Sequence, residues 1–535
     1  MRLKQGGKGY KSLFGLAGVH TAEEVAIAKK LGFMWLAKKG TWLTQNPLVA
    51  EKALAEKEIK VYPRVKKEVE IQAGQAHDEI KNSYALKAKG YFPVPEGKKL
   101  FDYQKAGIAY ITSRRGTLLA DDVGLGKTIQ AVGAINLWGN LNRILIICPA
   151  SIKTQWEDAV YEWSTLFYEI YIVRGTKDHT FRAMGKHKRI SGVVIINYCL
   201  LKKYEEELKS VHWDLIVVDE CHNITNSEAQ RTKVVLELEA DKKILLSATP
   251  AEKPIDLWVL LSQLDRKYFG DFWHYAFRYC APYRDGGYGY TQGWVFKGAE
   301  NLGELNKSQR ASCMIRRTIK DTQRQLPEKI KTLITYEGSS NKIINLVDQE
   351  RRLYEEDVMA NANGSLSIGE RMASVLREIG EESVGTTIET VDNLLKTQDK
   401  IVIFVWHRTV GALLYDHYNK TALKIDGETS PKNRQAHLRK FISKGEVNPK
   451  RILIGQIASM GEGVDGLQKV CSVGVFAEVV WSYKKMYQAE GRLWRTGQKN
   501  PALYYYIAHK GTLSATVAKR LITKEKTAKQ ITGEK

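Results

Sequence analysis

At 535 residues, 43% of them hydrophobic and 27% charged, the chain is long enough for three or four domains, each with its own core, and a single-core fold is excluded. No stretch approaches the roughly 18 uninterrupted apolar residues of a membrane helix, and Met1–Gly9 is basic and glycine-rich without the apolar centre of a secretion signal. A formal charge of +22 favours a polyanionic partner, because each neutralised phosphate releases condensed counterions. The six cysteines are scattered without Cys-x-x-Cys pairing, so they are expected to be reduced and structural. The expected setting is cytoplasmic, or nuclear if the source is eukaryotic.

The first 95 residues carry a net charge of about +8 and read as a small accessory module. In GFMWLAKKGTWLTQN (Gly32–Asn46) aromatic residues are interleaved with lysines. Two readings stand: Phe33, Trp35 and Trp42 bind DNA by stacking beside positive charge, or they are the module's own core.

From about residue 100, short β-branched runs alternate with segments of helical period, the pattern of parallel sheets covered by helices on both faces. Buried strands are expected at Thr117–Ala120, Ile144–Cys148, Val193–Asn197, Leu215–Val218 and Ile244–Ser247, and a second set at Ile401–Val405, Leu423–Ile425, Ile452–Gly455, Val473–Phe476 and Leu503–Ile507. The fold class that follows is α/β, with two tandem RecA-like parallel-sheet lobes at 96–265 and 386–535. The stretch 266–385, with its aromatic clusters and a glycine-rich turn at Asp285–Gly289, reads as a helical insertion.

LLADDVGLGKTIQ (Leu118–Gln130) passes from an apolar strand through a glycine loop into a helix that opens at Lys127. Asp122, Gly124, Leu125 and Gly126 form a loop whose backbone N–H groups can approach phosphates at a helix N-terminus. Lys127 is placed on the β- and γ-phosphates of ATP and the Thr128 hydroxyl on Mg²⁺. The bland alternative is a glycine loop with a solvated lysine, and Asp121 stands where the general pattern has glycine. LIVVDECH (Leu215–His222) is an apolar strand delivering two acids at its C-terminal end, the ligand-binding edge of an α/β sheet. Asp219 is expected to hold Mg²⁺ through its water shell and Glu220 to polarise the attacking water. SATP (Ser247–Pro250) by itself is a weak, turn-like signal.

Arg492 and Arg495, in QAEGRLWRTGQ (Gln488–Gln498), are three residues apart and share a face if helical. Such guanidinium groups, brought from another lobe, stabilise transition-state charge and tie hydrolysis to lobe closure. In isolation the pair would be a solvated face.

Taken together and in order, DDVGLGKT, CPASIKTQW (Cys148–Trp156), VVDECH, SATP, IDG (Ile425–Gly427), GEGVD (Gly461–Asp465) and QAEGRLWRTGQ resemble the Swi/Snf-like branch of the superfamily-two helicases, from about Phe101 to about Lys526. Asp121 is then a family feature. The resemblance implies that Gln104 of FDYQKAG recognises adenine and that His222 and Gln488 couple the lobes. It further implies that the blocks around Ser151–Trp156, Ser247–Thr249 and Gly461–Asp465 touch nucleic acid or relay nucleotide state to it. FGDFWHYAFRYCAPY (Phe269–Tyr283), MIRRTIKDTQRQLPEK (Met314–Lys329) and FAEVVWSYKKMYQAEGR (Phe476–Arg492) are similar to the HepA-related annealing helicases. Ser459 and Met460 depart from the usual small residues, and Trp494 from a common histidine.

The expected activity is therefore DNA-dependent ATP hydrolysis by a monomeric translocase on double-stranded or branched DNA. Two rivals are a strand-separating DNA or RNA helicase of the DExH type and a catalytically dead DNA-binding scaffold; the latter predicts loss of Lys127, Glu220 or Arg495, all of which are present.

Overall fold

The computed structural model describes residues 1–5, 14–36, 41–175, 192–269, 271–284, 294–296, 298–319, 321–322, 327–337, 341–360, 368–443, 450–460, 464, 466–480, 483–495, 497–512 and 515. The glycine-rich turn at Asp285–Gly289, and Gly461, Glu462, Gly463 and Asp465 of GEGVD, lie outside the described residues. Among the described residues, no helix is long and apolar enough to cross a membrane.

The N-terminal module is a five-stranded sheet ordered β3-β4-β2-β1-β5, from β1 (Arg2–Gln5), β2 (Phe14–Ala17), β3 (Met34–Leu36), β4 (Thr41–Thr44) and β5 (Lys60–Val61). Alternation along β1 and β2 turns Leu3, Phe14 and Leu16 onto one face, where they pack with Phe33, Trp42, Val49 and Val69. Thr21 and Glu24 form a capping box at the start of the Ala22–Leu31 helix, which ends on Gly32 at φ 101°. Phe33 and Trp42 are thus core residues, whereas Trp35, packed against Trp42, is 46% exposed. The module is fastened to the rest of the chain. Asn46 donates to Ser308 Oγ at 2.8 Å, and the Arg278 guanidinium caps the Ala22–Leu31 helix through the Lys29 and Lys30 carbonyls at 2.8 and 3.2 Å.

Lobe one is a seven-stranded, all-parallel sheet ordered β14-β6-β11-β10-β7-β9-β8. Its strands are β6 (Gly116–Leu119), β7 (Arg143–Cys148), β8 (Ile170–Ile172), β9 (Gly192–Asn197), β10 (Trp213–Asp219), β11 (Ala240–Leu246) and β14 (Met314–Ile315). RILIIC, GVVIIN and the apolar run of β10 are buried because helices cover both faces of the sheet, giving two separate cores. A small hairpin, β12 (Tyr283–Arg284) and β13 (Trp294–Val295), follows the Phe272–Tyr279 helix.

Lobe two is a six-stranded parallel sheet ordered β15-β20-β19-β16-β18-β17. It contains β15 (Lys329–Tyr336), β16 (Ile401–Val405), β17 (Ala422–Ile425), β18 (Ile452–Gln456), β19 (Val473–Phe476) and β20 (Ala502–His509). The ten strands expected from sequence are all present, and the α/β class with two tandem parallel-sheet lobes holds. The stretch read as a helical insertion is not wholly helical: besides the β12–β13 hairpin, it contributes β14 to the first sheet and β15 to the second. Its helices fall on either side, Pro254–Phe269, Phe272–Tyr279 and Leu302–Ser312 before β14, and Asn341–Ala360, Ile368–Glu382 and Val384–Leu395 after β15. Met460, which takes a position expected to be small, is fully buried against Gly455, where an added Cβ would lie 2.2 Å from Met460 Cγ. The side chain missing at Gly455 makes the room.

Candidate active site between the two lobes

The site lies at the C-terminal edge of β6, β10 and β11, where an α/β sheet presents its loops. From β6 the chain enters the phosphate loop, with Gly124 at φ 78° and Gly126 at φ 72°, left-handed positions that L-residues adopt at a cost. A Cβ on Gly126 would stand 2.6 Å from Gln104 Nε2, so that glycine is also what lets Gln104 lie against the loop. Gln104 is buried, accepts from the Phe101 amide at 3.0 Å and points Nε2 toward the Leu125 carbonyl at 3.4 Å. Lys127 opens the following helix, and its ammonium lies 3.0 and 3.2 Å from the Asp121 and Asp122 carbonyls. Burial pulls its pKa below the ordinary value, opposed by the carboxylates of Glu220, Asp121, Asp219 and Asp122. Thr128 follows it on the same helix, half-buried.

Asp219 ends β10, and Glu220 follows at φ 52°, a left-handed conformation that a non-glycine residue holds only where its surroundings impose it. Asp219 Oδ1 accepts the Glu220 amide at 2.8 Å and Oδ2 the Trp156 indole at 2.8 Å. Burial and then the neighbouring Glu220 charge raise the Asp219 pKa, against the Trp156 hydrogen bond and Lys127. For Glu220, burial acts upward, but His222, Lys127 and Arg492 together hold it below the usual carboxylate range. The two acids are thus driven apart, the arrangement expected of adjacent carboxylates with different tasks. His222 Nδ1 lies 3.2 Å from Glu220 Oε2 and 3.0 Å from Ser247 Oγ, joining the β10 acids to the end of β11.

Lobe two closes the site with the Tyr483–Glu490 helix and the turns after it. Gln488 Nε2 is 3.4 Å from Glu220 Oε2, and the Tyr487 phenol donates to Asp122 Oδ1. A Cβ on Gly491 would meet Val123 at 2.9 Å, so the helix end rests directly on the phosphate loop.

The SNF2-related domain profile matches residues 35–409, and the helicase conserved C-terminal domain profile residues 386–497. The chain belongs to the SNF2-related family. ATP use comes with that membership. This SNF2-related chain is similar to the SWI/SNF-related matrix-associated actin-dependent regulator of chromatin subfamily A-like protein 1 of Xenopus tropicalis, 27% identical over 426 residues, covering 78% of this chain and 43% of the relative. Its Caenorhabditis elegans homolog is 29% identical over 430 residues, covering 78% and 59%. The Homo sapiens DNA annealing helicase and endonuclease ZRANB3 is 28% identical over 432 residues, covering 78% and 39%. The SNF2-related chain thus spans about two to three fifths of the length of these relatives. A solved structure of the Sulfolobus solfataricus SWI2/SNF2 ATPase core in complex with dsDNA aligns with a TM-score of 0.40 at 22% identity, over 84% of this chain and 95% of that one.

The two arginines of the SNF2-related site are not on a helix. The Tyr483–Glu490 helix stops before the arginines, so Arg492 and Arg495 stand in the succeeding turns, not on a helical face. Arg492 Nη1 donates to the Val464 carbonyl at 3.0 Å, and its charge bears on Glu220. Arg495 is half-buried one turn on. Trp156, in the block read as touching nucleic acid or relaying nucleotide state to it, is 1% exposed and donates to Asp219.

Two arginines of MIRRTIKD were read only as part of the insertion. Arg316 ties the Ala120 and Ala248 carbonyls together at 2.5 and 2.7 Å, joining the ends of β6 and β11. Arg317 Nε donates to Asp121 Oδ1 at 2.9 Å and Nη2 to Gln130 Oε1 at 2.7 Å. Asp121 in turn accepts from Gln130 Nε2 at 2.9 Å. The departure of Asp121 from the general phosphate-loop pattern therefore has a local use: it anchors the loop to β14. A repeated basic pair directly after an apolar Met-Ile step was the available signal.

Proposed function

We propose that the chain is a DNA-dependent ATPase that translocates on double-stranded or branched DNA and remodels it, by annealing, fork or branch rearrangement, or displacement of bound proteins. The observation that carries the reading is the composite pocket, in which Gln488 of lobe two reaches Glu220 beside Asp219 and Lys127 of lobe one. A nucleotide held there would be sensed by both lobes at once.

In this reading Gln104 contacts adenine, while Asp122, Gly124, Leu125, Gly126, Lys127 and Thr128 cradle the phosphates. Gln488 senses the nucleotide from lobe two. Glu220, already ionised, orients and deprotonates the attacking water, and Arg492 with Arg495 offsets charge developing on the γ-phosphoryl group. Among the described residues no cluster of three or more His, Cys, Asp or Glu side chains could cage a metal. Thr128 and, through water, Asp219 would hold Mg²⁺ together with the phosphates of the nucleotide, as suits an ion bound by few protein oxygens. Bound there, the metal would supply charge neutralisation at the phosphates. Its charge would also favour the ionised form of Asp219, opposing the effect of burial.

The formal charge of +22 supports DNA contacts made largely to phosphates, steeply salt-dependent and nearly independent of sequence. A monomeric motor in the compartment that holds the DNA is the simplest form. The test is an ATPase titration against duplex, forked and single-stranded DNA and RNA, with Lys127→Ala and Glu220→Gln as controls. Duplex or forked DNA is expected to stimulate most, and both variants to abolish stimulation with the fold intact. Unchanged turnover in either variant removes the site assignment. Triplex displacement without opening of a simple duplex separates this reading from a strand-separating helicase.

A further inference from the structure

Lys329 opens β15, the first strand the chain adds to lobe two after leaving β14 of lobe one. Its ammonium lies 2.8 Å from Glu490 Oε2, and Lys331, two residues along the same face, lies 3.0 Å from Oε1. The Tyr506 phenol donates to the same carboxylate, and the Tyr504 phenol to the Glu490 carbonyl. The Lys329 ammonium also stands 5.0 Å from the Tyr487 ring centroid and 4.6 Å from that of Trp494, whose indole donates to the Pro327 carbonyl at 2.9 Å. Segment 327–331 therefore grips the Tyr483–Glu490 helix and the turn after it at several points.

Two of the residues so gripped, Tyr487 and Glu490, make or adjoin contacts with lobe one. Tyr487 reaches Asp122, Gln488 reaches Glu220, Gly491 rests on Val123, and Arg492 follows. Glu490 is 2% exposed, and a carboxylate desolvated to that degree is costly to hold even when paired. An apolar contact between an edge strand and a helix end would supply cohesion without that cost. What the ion cluster adds is register: a slip of one residue along β15 would turn Lys329 and Lys331 to the opposite face and strand the carboxylate.

We propose that Lys329, acting through Glu490, is a positioning residue that fixes the Tyr483–Glu490 helix and its arginine turn against the phosphate loop, so that the segment crossing between lobes sets the geometry of the ATP pocket. The effect on turnover rests on the hydrolytic reading above; the effect on geometry does not. Lys329 touches neither nucleotide-binding loop residues nor Glu220 in the described contacts, so its influence passes through the helix.

The test uses the full chain with Lys329→Met, Lys329→Arg, Glu490→Gln and the double variant Lys329→Met/Glu490→Gln. Hydrogen exchange is followed at 121–127 and 483–495, with Tm and steady-state ATP turnover on duplex DNA. Lys329→Met is expected to speed exchange in both segments and to lower kcat by about tenfold while KM for ATP moves by no more than about twofold, the pattern of lost transition-state alignment. Lys329→Arg should return kcat to within about threefold of wild type, since a guanidinium can still pair with the carboxylate. The double variant removes the buried Lys329–Glu490 pair together and leaves only the more exposed Lys331 without its carboxylate, so its Tm should largely recover while kcat stays low. Recovery of both would reduce Lys329 to a charge partner and overturn the proposal, as would unchanged exchange in the two segments of Lys329→Met. A wild-type chain that does not turn over ATP sinks the hydrolytic reading, and the exchange comparison still decides the positioning role.

Discussion

The Tyr487 phenol of lobe two donates a hydrogen bond to the Asp122 carboxylate of the phosphate loop, whose same oxygen accepts from the Val123 amide at 2.9 Å. Both side chains are buried, so the bond is made away from water and links the loop that would hold the phosphates to the helix that carries Gln488. Tyr487→Phe keeps the ring beneath Lys329 and deletes only the donor. A hydrogen bond to a charged group is worth roughly 1.5–3 kcal/mol, so kcat should fall about tenfold or more if the bond persists in the transition state. ATP turnover at saturating duplex DNA measures it, and a variant with wild-type kcat would show that the bond is dispensable for turnover.

Gly126→Ala tests the fit between Gln104 and the loop. The substitution places an L-residue at φ 72°, which costs about 1–2 kcal/mol, and sets its Cβ 2.6 Å from Gln104 Nε2. Gln104 must then move. The expected outcome is a rise of about tenfold or more in KM for ATP and a reduced preference for ATP over GTP, read by titrating both nucleotides. A rise in KM with the preference intact would separate loop strain from base recognition and remove Gln104 from the adenine role.

What could be read in advance depended on how local each signal is. LIVVDECH announces a buried strand ending in acids because eight consecutive residues carry both the burial and the chemistry, and the phosphate loop likewise declares itself within one segment. β14 is two residues long, too short for any period to show, so the structural duty of Arg316 and Arg317 was hidden. KIKTLITY of β15 mixes lysines with apolar residues at exposed or half-buried positions, as an edge strand does, so it lacks the apolar run that marks a buried strand. Trp156, Tyr487 and Glu490 act on partners that only folding brings near, Tyr487 being 365 positions from Asp122, so no window of sequence could have assigned them. Met460 shows the converse: its bulk looked like a weakness of the lobe-two motif, and the compensating absence of a side chain at Gly455 sits on the preceding strand.

Arg317 and Asp121 form a fully buried ion pair that is also hydrogen-bonded to Gln130. Removing one partner leaves a charge without compensation, which typically costs 3–5 kcal/mol. Arg317→Met should therefore destabilise lobe one by about that amount, measured by urea unfolding. Because Asp121 adjoins the phosphate loop, nucleotide affinity should fall in parallel. A loss below about 1 kcal/mol would mean that Gln130 and the backbone satisfy Asp121 without the guanidinium.

Glu490 gives a pH dependence whose sign is fixed by its surroundings. Burial acts to raise its pKa, but Lys329, Lys331 and the Tyr506 hydrogen bond bring it down from 4.5 to about 2. The unfolded chain therefore takes up a proton at this residue before the folded chain does. Its contribution is complete above about pH 4.5 and is lost as the pH falls toward about 2, a span of about 3 kcal/mol. Glu490→Gln carries no such titration and leaves the two lysines without their carboxylate at neutral pH. The variant should thus be less stable than wild type near pH 7, and the gap between their unfolding free energies should narrow steadily below pH 4.5. Urea unfolding of both chains across that range provides the comparison. Curves that run parallel from neutral to acid pH would show that the carboxylate is not held ionised by the lysines of β15, and with it would go the electrostatic part of the link between the interlobe strand and the arginine turn.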